Sequence, residues 1–146
     1  MLSDGTLRKM GELDRALTER RVRSIYEMWS RADVEGILAA TAPNVKLATT
    51  GQWTGAAPPS IGREALGAFL RRHHLELEKI VSVLHEIVID GDRVVVHRTA
   101  VGRWRASGQR YQCDFIDFFR FRDGLVVEFS EYADPAWIDA EAQVRT

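Results

Sequence analysis

The chain has little of what usually announces a function class. It holds a single cysteine in 146 residues, which excludes an internal disulfide and fits a reducing compartment. Charge of one sign is not in excess: the formal net charge is −1, so neither nucleic acid nor an anionic membrane surface is an expected partner. No apolar run approaches the roughly 18 residues of a membrane helix. Residues Met1 to Glu12 lack the apolar centre of a signal peptide, and a cytoplasmic protein is the expectation. No glycine-rich phosphate loop opens a helix, so nucleotide binding is not expected. No His/Asp/Glu set has the tight spacing of a metal site; neither metal nor other cofactor is expected.

What is present is an ordinary soluble composition, 45% hydrophobic and 28% charged, without low-complexity tracts. That length and balance fit one domain with a sizeable core. Residues 1–12 are polar and glycine-spaced and read as a flexible N-terminal arm, leaving 13–146 as the single domain. From Leu13 the apolar positions take helical spacing through Leu17, Val22, Ile25, Tyr26 and Trp29, which predicts a helix ending near Ala32. Asp33 is a good N-cap for a short helix to about Ala40. Val45, Leu47 and Thr49 alternate as a short strand. A loop, Gly51 to Gly62, carries Trp53 and two prolines and could act as a lid. A third helix follows, with Leu66, Phe69, Leu70 and His73 on one face.

Beyond it the period changes to two. Strands are predicted at about 79–89, 93–106, 109–121 and 125–132, separated by Asp90-Gly91, Ser107-Gly108 and Asp123-Gly124, which are hairpin signals. Asp134-Pro135 reads as a cap and first position of a short closing helix with Trp137 and Ile138. The expected fold class is α+β: a curved antiparallel sheet of long strands covered by about three N-terminal helices.

Three consecutive strands each carry a charge on an otherwise apolar side. In 94–104 that side reads Val94, Val96, Arg98, Ala100, Gly102, Trp104. In 111–121 it reads Tyr111, Cys113, Phe115, Asp117, Phe119, Phe121, and in 125–131 Leu125, Val127, Phe129, Glu131. Alternation places each set on one face, where a lone charge is costly unless paired or used. Arg98, Asp117 and Glu131 are therefore a buried ionic cluster or the polar floor of an active site. Two-residue turns at Asp90-Gly91 and Ser107-Gly108 would pair His85 with Val96 and Arg98 with Asp117. A three-residue loop, Arg122 to Gly124, would keep the third strand in phase and align Phe129 with Asp117 and Phe115 with Glu131. His85 shares the apolar side of Val81, Val83, Ile87 and Ile89 and would lie diagonal to Arg98; His97 falls outside. Cys113 reads as a small packing residue. The arginines at 103, 105, 110, 120 and 122 alternate with apolar residues and read as a solvated sheet face. Ile116 and Phe118, on the outward side of their strand, suggest a partner surface, most simply a second copy of the chain.

The stretch Trp29-Ser-Arg-Ala-Asp33-Val-Glu-Gly-Ile37 and above all the end, Phe115-Ile-Asp117-Phe-Phe-Arg-Phe-Arg-Asp-Gly124-Leu-Val-Val-Glu-Phe-Ser-Glu131-Tyr-Ala-Asp134, resemble the SnoaL-like branch of the NTF2-like superfamily, over roughly residues 15–138. That branch includes ketosteroid isomerases, polyketide cyclases and limonene-epoxide hydrolases. The resemblance implies a cone of curved sheet and helices, a deep apolar pocket and usually a homodimer. Ile116-Asp117-Phe118-Phe119-Arg120-Phe121 is similar to the isomerase segment whose aspartate helps form the oxyanion hole. The isomerase's basic aspartate falls near Thr49 and its helix tyrosine near Ile25, one place from Tyr26. Arg98 and Glu131 are similar to the arginine and one aspartate of the epoxide hydrolase; its other aspartate falls at Ala100. The acid–base aspartate of the cyclases falls near Glu131. The function so implied is cofactor-free acid–base catalysis, of isomerase, cyclase or dehydratase type, on a small apolar cyclic or polyketide-like carbonyl compound. The alternatives are an epoxide hydrolase and a non-catalytic ligand-binding or dimerisation module. The expected catalytic residues are Asp117, Glu131, Arg98 and His85, with Tyr26, Thr49, Trp53, Trp104, Phe115, Phe119 and Phe129 lining the pocket.

Overall fold

The computed structural model describes residues 1–49 and 59–133. Trp53, most of the expected lid loop and the expected closing helix lie outside the described residues. Helix α1 spans Asp4–Ser30. Ser3 caps it, its hydroxyl accepting from the Thr6 N–H at 3.2 Å, and Asp4 adds favourable charge to the first turn. The cap extends the helix well upstream of Leu13, so the stretch read as an arm forms its first turns, with Leu7, Met10 and Leu13 exposed. Val22, Ile25, Tyr26 and Trp29 repeat at three- and four-residue spacing and are the buried face. Helix α2 (Val34–Ala39) starts where Asp33 accepts from the Gly36 N–H at 2.9 Å. Helix α3 (Arg63–Glu76) buries Leu66 and Leu70.

The strands are β1 (Thr41–Ala48), β2 (Ser60–Ile61), β3 (Leu77–Asp90), β4 (Arg93–Trp104), β5 (Arg110–Arg122) and β6 (Leu125–Ala133). They form one sheet in the order β2-β1-β6-β5-β4-β3. The long strands pair antiparallel, as expected, while β1 lies parallel to β6 and is the only parallel neighbour among the described strands. The parallel pairing needs a long crossover, and the whole of α3 and the meander supplies it. The result is an α+β fold in which the helices cover the inner face of the sheet, and that face carries the core.

Bulges change the register from the expected one. In β3, His85 and Glu86 together oppose His97. The extra residue reverses the phase of the strand: Ser82, Leu84, Ile87 and Ile89 turn inward, and Val81, Val83 and His85 face solvent. The expectation that His85 shares the inner face is thus incorrect. The turn before β4 is also displaced by one residue, with Asp90 opposite Arg93 and Ile87, not His85, opposite Val96. Between β4 and β5 a longer loop, 105–109, places Arg98 opposite Phe115 and Val96 opposite Asp117. This differs from the expected pairing by two residues, which preserves the face and makes Arg98 and Asp117 diagonal neighbours.

The third hairpin closes with the two-residue turn Asp123-Gly124, both residues at positive φ (51° and 78°). Its twist suits the flanking strands. A bulge at Val127 then restores the face that a three-residue loop would have kept, so Val126 is buried where Leu125 and Val127 were expected. Asp117 stands directly opposite Glu131, and Phe119 opposite Phe129.

Gly102 pairs with Tyr111, whose ring lies over the bare backbone; a Cβ at 102 would meet that ring at 2.3 Å. Gly102→Ala is expected to displace the buried Tyr111 ring and cost about 1–3 kcal/mol, the usual range for overpacking. Urea denaturation of the variant checks this; a change below half a kcal/mol would show that the ring moves freely.

Candidate functional site

The inner faces of β4, β5 and β6 bring Arg98, Asp117 and Glu131 into one contact group. They are 3%, 0% and 8% exposed. Arg98 Nε donates to Asp117 Oδ2 at 2.5 Å, and its Nη2 donates to Glu131 Oε2 at 3.0 Å. The third arm of the fork, Nη1, donates to Ser82 Oγ at 3.2 Å. The guanidinium carbon lies 4.3 Å from the Phe115 ring centroid, 5.5 Å from Tyr26 and 5.6 Å from Trp29. A weakly hydrated planar cation suits such an aromatic cage, and an ammonium could not serve three partners in this fixed fork.

Helix α1 adds a member. Tyr26 donates its hydroxyl proton to the same Asp117 Oδ2 at 2.5 Å. That oxygen therefore receives two donors, while Asp117 Oδ1 is buried with no hydrogen-bond partner among the described residues. The indole Nε1 of Trp29 is likewise buried without a partner there. Buried polar atoms left unmatched are uncommon and call for a reason. Here two of them belong to residues that touch Arg98, one an acceptor and one a donor. Between α1 and β3 a cleft of about 300 Å³ has Arg23, Tyr26, Glu27, Ser82 and Leu84 in its wall. Tyr26 and Ser82 connect that cleft to the cluster through their hydroxyls.

Electrostatics reinforce the geometry. Burial alone works to lower the Arg98 pKa, but Asp117 and Glu131 outweigh it and the net displacement is upward, so Arg98 stays charged. The Tyr26 phenol is pushed well above its ordinary value, first by burial and then by the Asp117 carboxylate beside it. The consequence for stability has a definite sign. The folded state keeps the Tyr26 proton at a pH where the unfolded chain releases it, so stability is intact below about pH 10, the ordinary tyrosine value, and declines as pH rises toward the folded value. Urea unfolding at stepwise alkaline pH should show this decline, and Tyr26→Phe should remove it. A variant with the same alkaline slope as the parent would assign the effect elsewhere.

Among the other expected pocket residues, Phe115, Phe119 and Phe129 are buried around the cluster, with Phe119 5.0 Å from Phe129 and edge-on to Tyr26 at 6.0 Å. Trp104 is buried against Tyr111 at the end of β4. Thr49 is half-buried just beyond β1. His85 is not in the group: it sits on the outer face, where Thr99 Oγ1 is 2.6 Å from its Nε2. No sequence signal marks Ser82, because the bulge is what turns it inward, and helical spacing marks Tyr26 as buried without showing that it meets Asp117. Cys113 packs in the core as expected.

A match to the SnoaL-like domain family runs over residues 22–129. Among solved structures the chain is similar to an NTF2-like protein of unknown function from Burkholderia pseudomallei, with 26% identity, a TM-score of 0.73, and 85% of this chain and 95% of the other covered. A candidate polyketide cyclase from Xanthomonas campestris pv. campestris shares 26% identity at a TM-score of 0.71, over 86% of this chain and 96% of the other. An epoxide hydrolase of the limonene-epoxide hydrolase type from M. tuberculosis shares the fold, with 19% identity, a TM-score of 0.70, and 89% and 91% covered. No sequence among curated proteins matches. The match over residues 22–129 takes in α2, α3, β1 to β5 and most of β6, together with Tyr26, Arg98 and Asp117, and this chain belongs to the SnoaL-like domain family.

Proposed function

We propose that the chain is a cofactor-free acid–base enzyme for a small, largely apolar cyclic or polyketide-like carbonyl compound, of isomerase, cyclase or dehydratase type. The observation that carries this reading is one guanidinium bridging two buried carboxylates, one of which keeps an oxygen unmatched among the described residues. The two carboxylates differ in setting. Asp117 is wholly enclosed and held by Tyr26 and Arg98 on one oxygen. Glu131 is slightly more exposed, and it accepts from Arg98 Nη2 at the longer distance of 3.0 Å. Glu131 is therefore assigned the proton transfer, and Asp117 the positioning of Arg98 and Tyr26. When Glu131 takes a proton from a carbon beside a carbonyl, negative charge passes from its carboxylate to the substrate oxygen. Arg98 lies at the centre of that exchange and balances the charge before and after it. A fixed cation in a site shielded from water is effective at this, because it needs no reorganisation as the charge moves.

The family binds and transforms small apolar cyclic compounds, and the similarity to the candidate polyketide cyclase supports the carbonyl class. A second reading, epoxide hydrolysis, is favoured by the same bridging arginine. Ala100 leaves its strand position without a carboxylate, yet Asp117 supplies a second acid on the guanidinium.

The test is a panel of small cyclic ketones, lactones and epoxides, screened for turnover and soaked into crystals. The expected result is a bound compound touching Arg98, Asp117 or Glu131 and chemistry on one class of the panel. If no compound binds or turns over and the three charges are sealed against one another, the cluster is an ion network that specifies strand register, and the enzymatic reading fails.

A further inference from the structure

The outer face of the sheet, across β3, β4 and β5, carries a second group of polar side chains. His85 comes from β3, His97 from β4 and Asp114 from β5, and a ligating atom of each lies within 4.8 Å of those of the other two. The two imidazole rings are 4.9 Å apart at their centroids. His97 Nε2 is 3.7 Å from Asp114 Oδ2. Thr99, on β4, lies between the other two strands, with its hydroxyl 2.6 Å from His85 Nε2 and donating to Asp114 Oδ1 at 2.6 Å.

We propose that His85, His97 and Asp114 form a binding site for a divalent transition-metal ion of the zinc class on the outer face of the sheet. Two imidazoles and one carboxylate are a donor set that such ions accept, and three protein ligands leave a coordination position for water. Ligands about 2.0–2.2 Å from a common ion lie closer together than the present upper distance. Rotation of exposed side chains on a rigid sheet closes that gap without moving backbone. Thr99 supplies the outer-shell hydrogen bond that orients the carboxylate, a kind of partner metal ligands commonly have.

The β3 bulge gives the arrangement its shape. Without the extra residue opposite His97, His85 would point inward and the two imidazoles would be on opposite faces of the sheet. The spacing of the three residues along the chain hides the site, because each ligand comes from a different strand. The proposal does not depend on the catalytic reading, since no residue is shared with the inner-face cluster.

The experiment is calorimetric titration of the chelator-treated full chain with Zn²⁺, followed by Co²⁺ as a visible-absorbing substitute. One ion per chain is expected, with ligand-field absorption for Co²⁺ and a higher Tm with Zn²⁺, because a ligand held only by the folded state stabilises it. His85→Gln, His97→Gln and Asp114→Asn should each weaken binding tenfold or more, and Thr99→Val should weaken it less. His74→Gln serves as a control that leaves affinity unchanged. All of these positions are at least partly exposed, and circular dichroism confirms that each variant folds. Absence of saturable binding overturns the proposal. So does binding that survives all three ligand substitutions or is lost equally in His74→Gln, since either result describes adventitious ions on surface histidines.

Discussion

Arg98→Met is expected to lower the unfolding free energy by about 3–5 kcal/mol, the range for removing one partner of a buried ion pair. Methionine fills much of the arginine stem's volume, so the loss is mainly electrostatic. Asp117 and Glu131 would then face each other directly across β5 and β6 without a cation between them. The partners of Arg98 are almost fully enclosed, with side chains 0% and 10% exposed, so solvent screens them little. Urea denaturation at neutral pH measures the loss. A further comparison makes the cause identifiable. Adding Asp117→Asn and Glu131→Gln to Arg98→Met should recover part of the stability, as neutral buried groups cost less than charged ones. A loss under 1 kcal/mol for Arg98→Met would show that the carboxylates do not depend on the guanidinium for their charge.

Glu131→Gln is expected to reduce turnover about 10²–10⁴-fold, the usual contribution of a positioned general acid or base. In barrier terms that is about 2.7–5.5 kcal/mol. The amide keeps the shape of the side chain and can still accept from Arg98 Nη2, so the fold and KM should change little. A fall in kcat with KM held separates loss of the proton acceptor from loss of binding. Asp117→Asn is expected to impair turnover by another route. It removes the charge that Tyr26 and Arg98 share, so their positions loosen and thermal stability falls along with kcat. The substrate class found on the ketone, lactone and epoxide panel supplies the assay. If turnover survives both substitutions, the roles assigned to these carboxylates are wrong.

The three inner-face charges were legible because period-two alternation in β4 and β5 runs without interruption from Val94 to Trp104 and from Tyr111 to Phe121. A register change of two residues between those strands did no harm, since the face is preserved. The phase of β3 was illegible. Val81, Val83, Ile87 and Ile89 all sit at odd positions, on both sides of the bulge, yet Val81 and Val83 face out while Ile87 and Ile89 face in. A bulge needs no particular residue type, so composition does not report it. The third hairpin shows two local errors that cancel, a shorter turn and an extra residue at Val127, so Glu131 still reached the inner face. The Tyr26–Asp117 bond could not be read from either element alone. Helical spacing shows which side of α1 is buried, and only the packed structure shows which strand residue meets it.

The Tyr26–Asp117 hydrogen bond closes 91 residues of chain, against 19 for Arg98–Asp117 and 33 for Arg98–Glu131. Short closures cost less chain entropy than long ones and tend to form sooner. The β4–β5–β6 hairpins can therefore gather the arginine and both acids as a local unit, whereas the phenol arrives only when the N-terminal helix docks on the finished meander. During refolding, β-sheet signal should return ahead of ligand binding. Assembly of the Tyr26, Arg98, Asp117 and Glu131 cluster thus reports docking of α1 on the finished meander, and a chain emerging from synthesis lacks the cluster until β5 and β6 have been made.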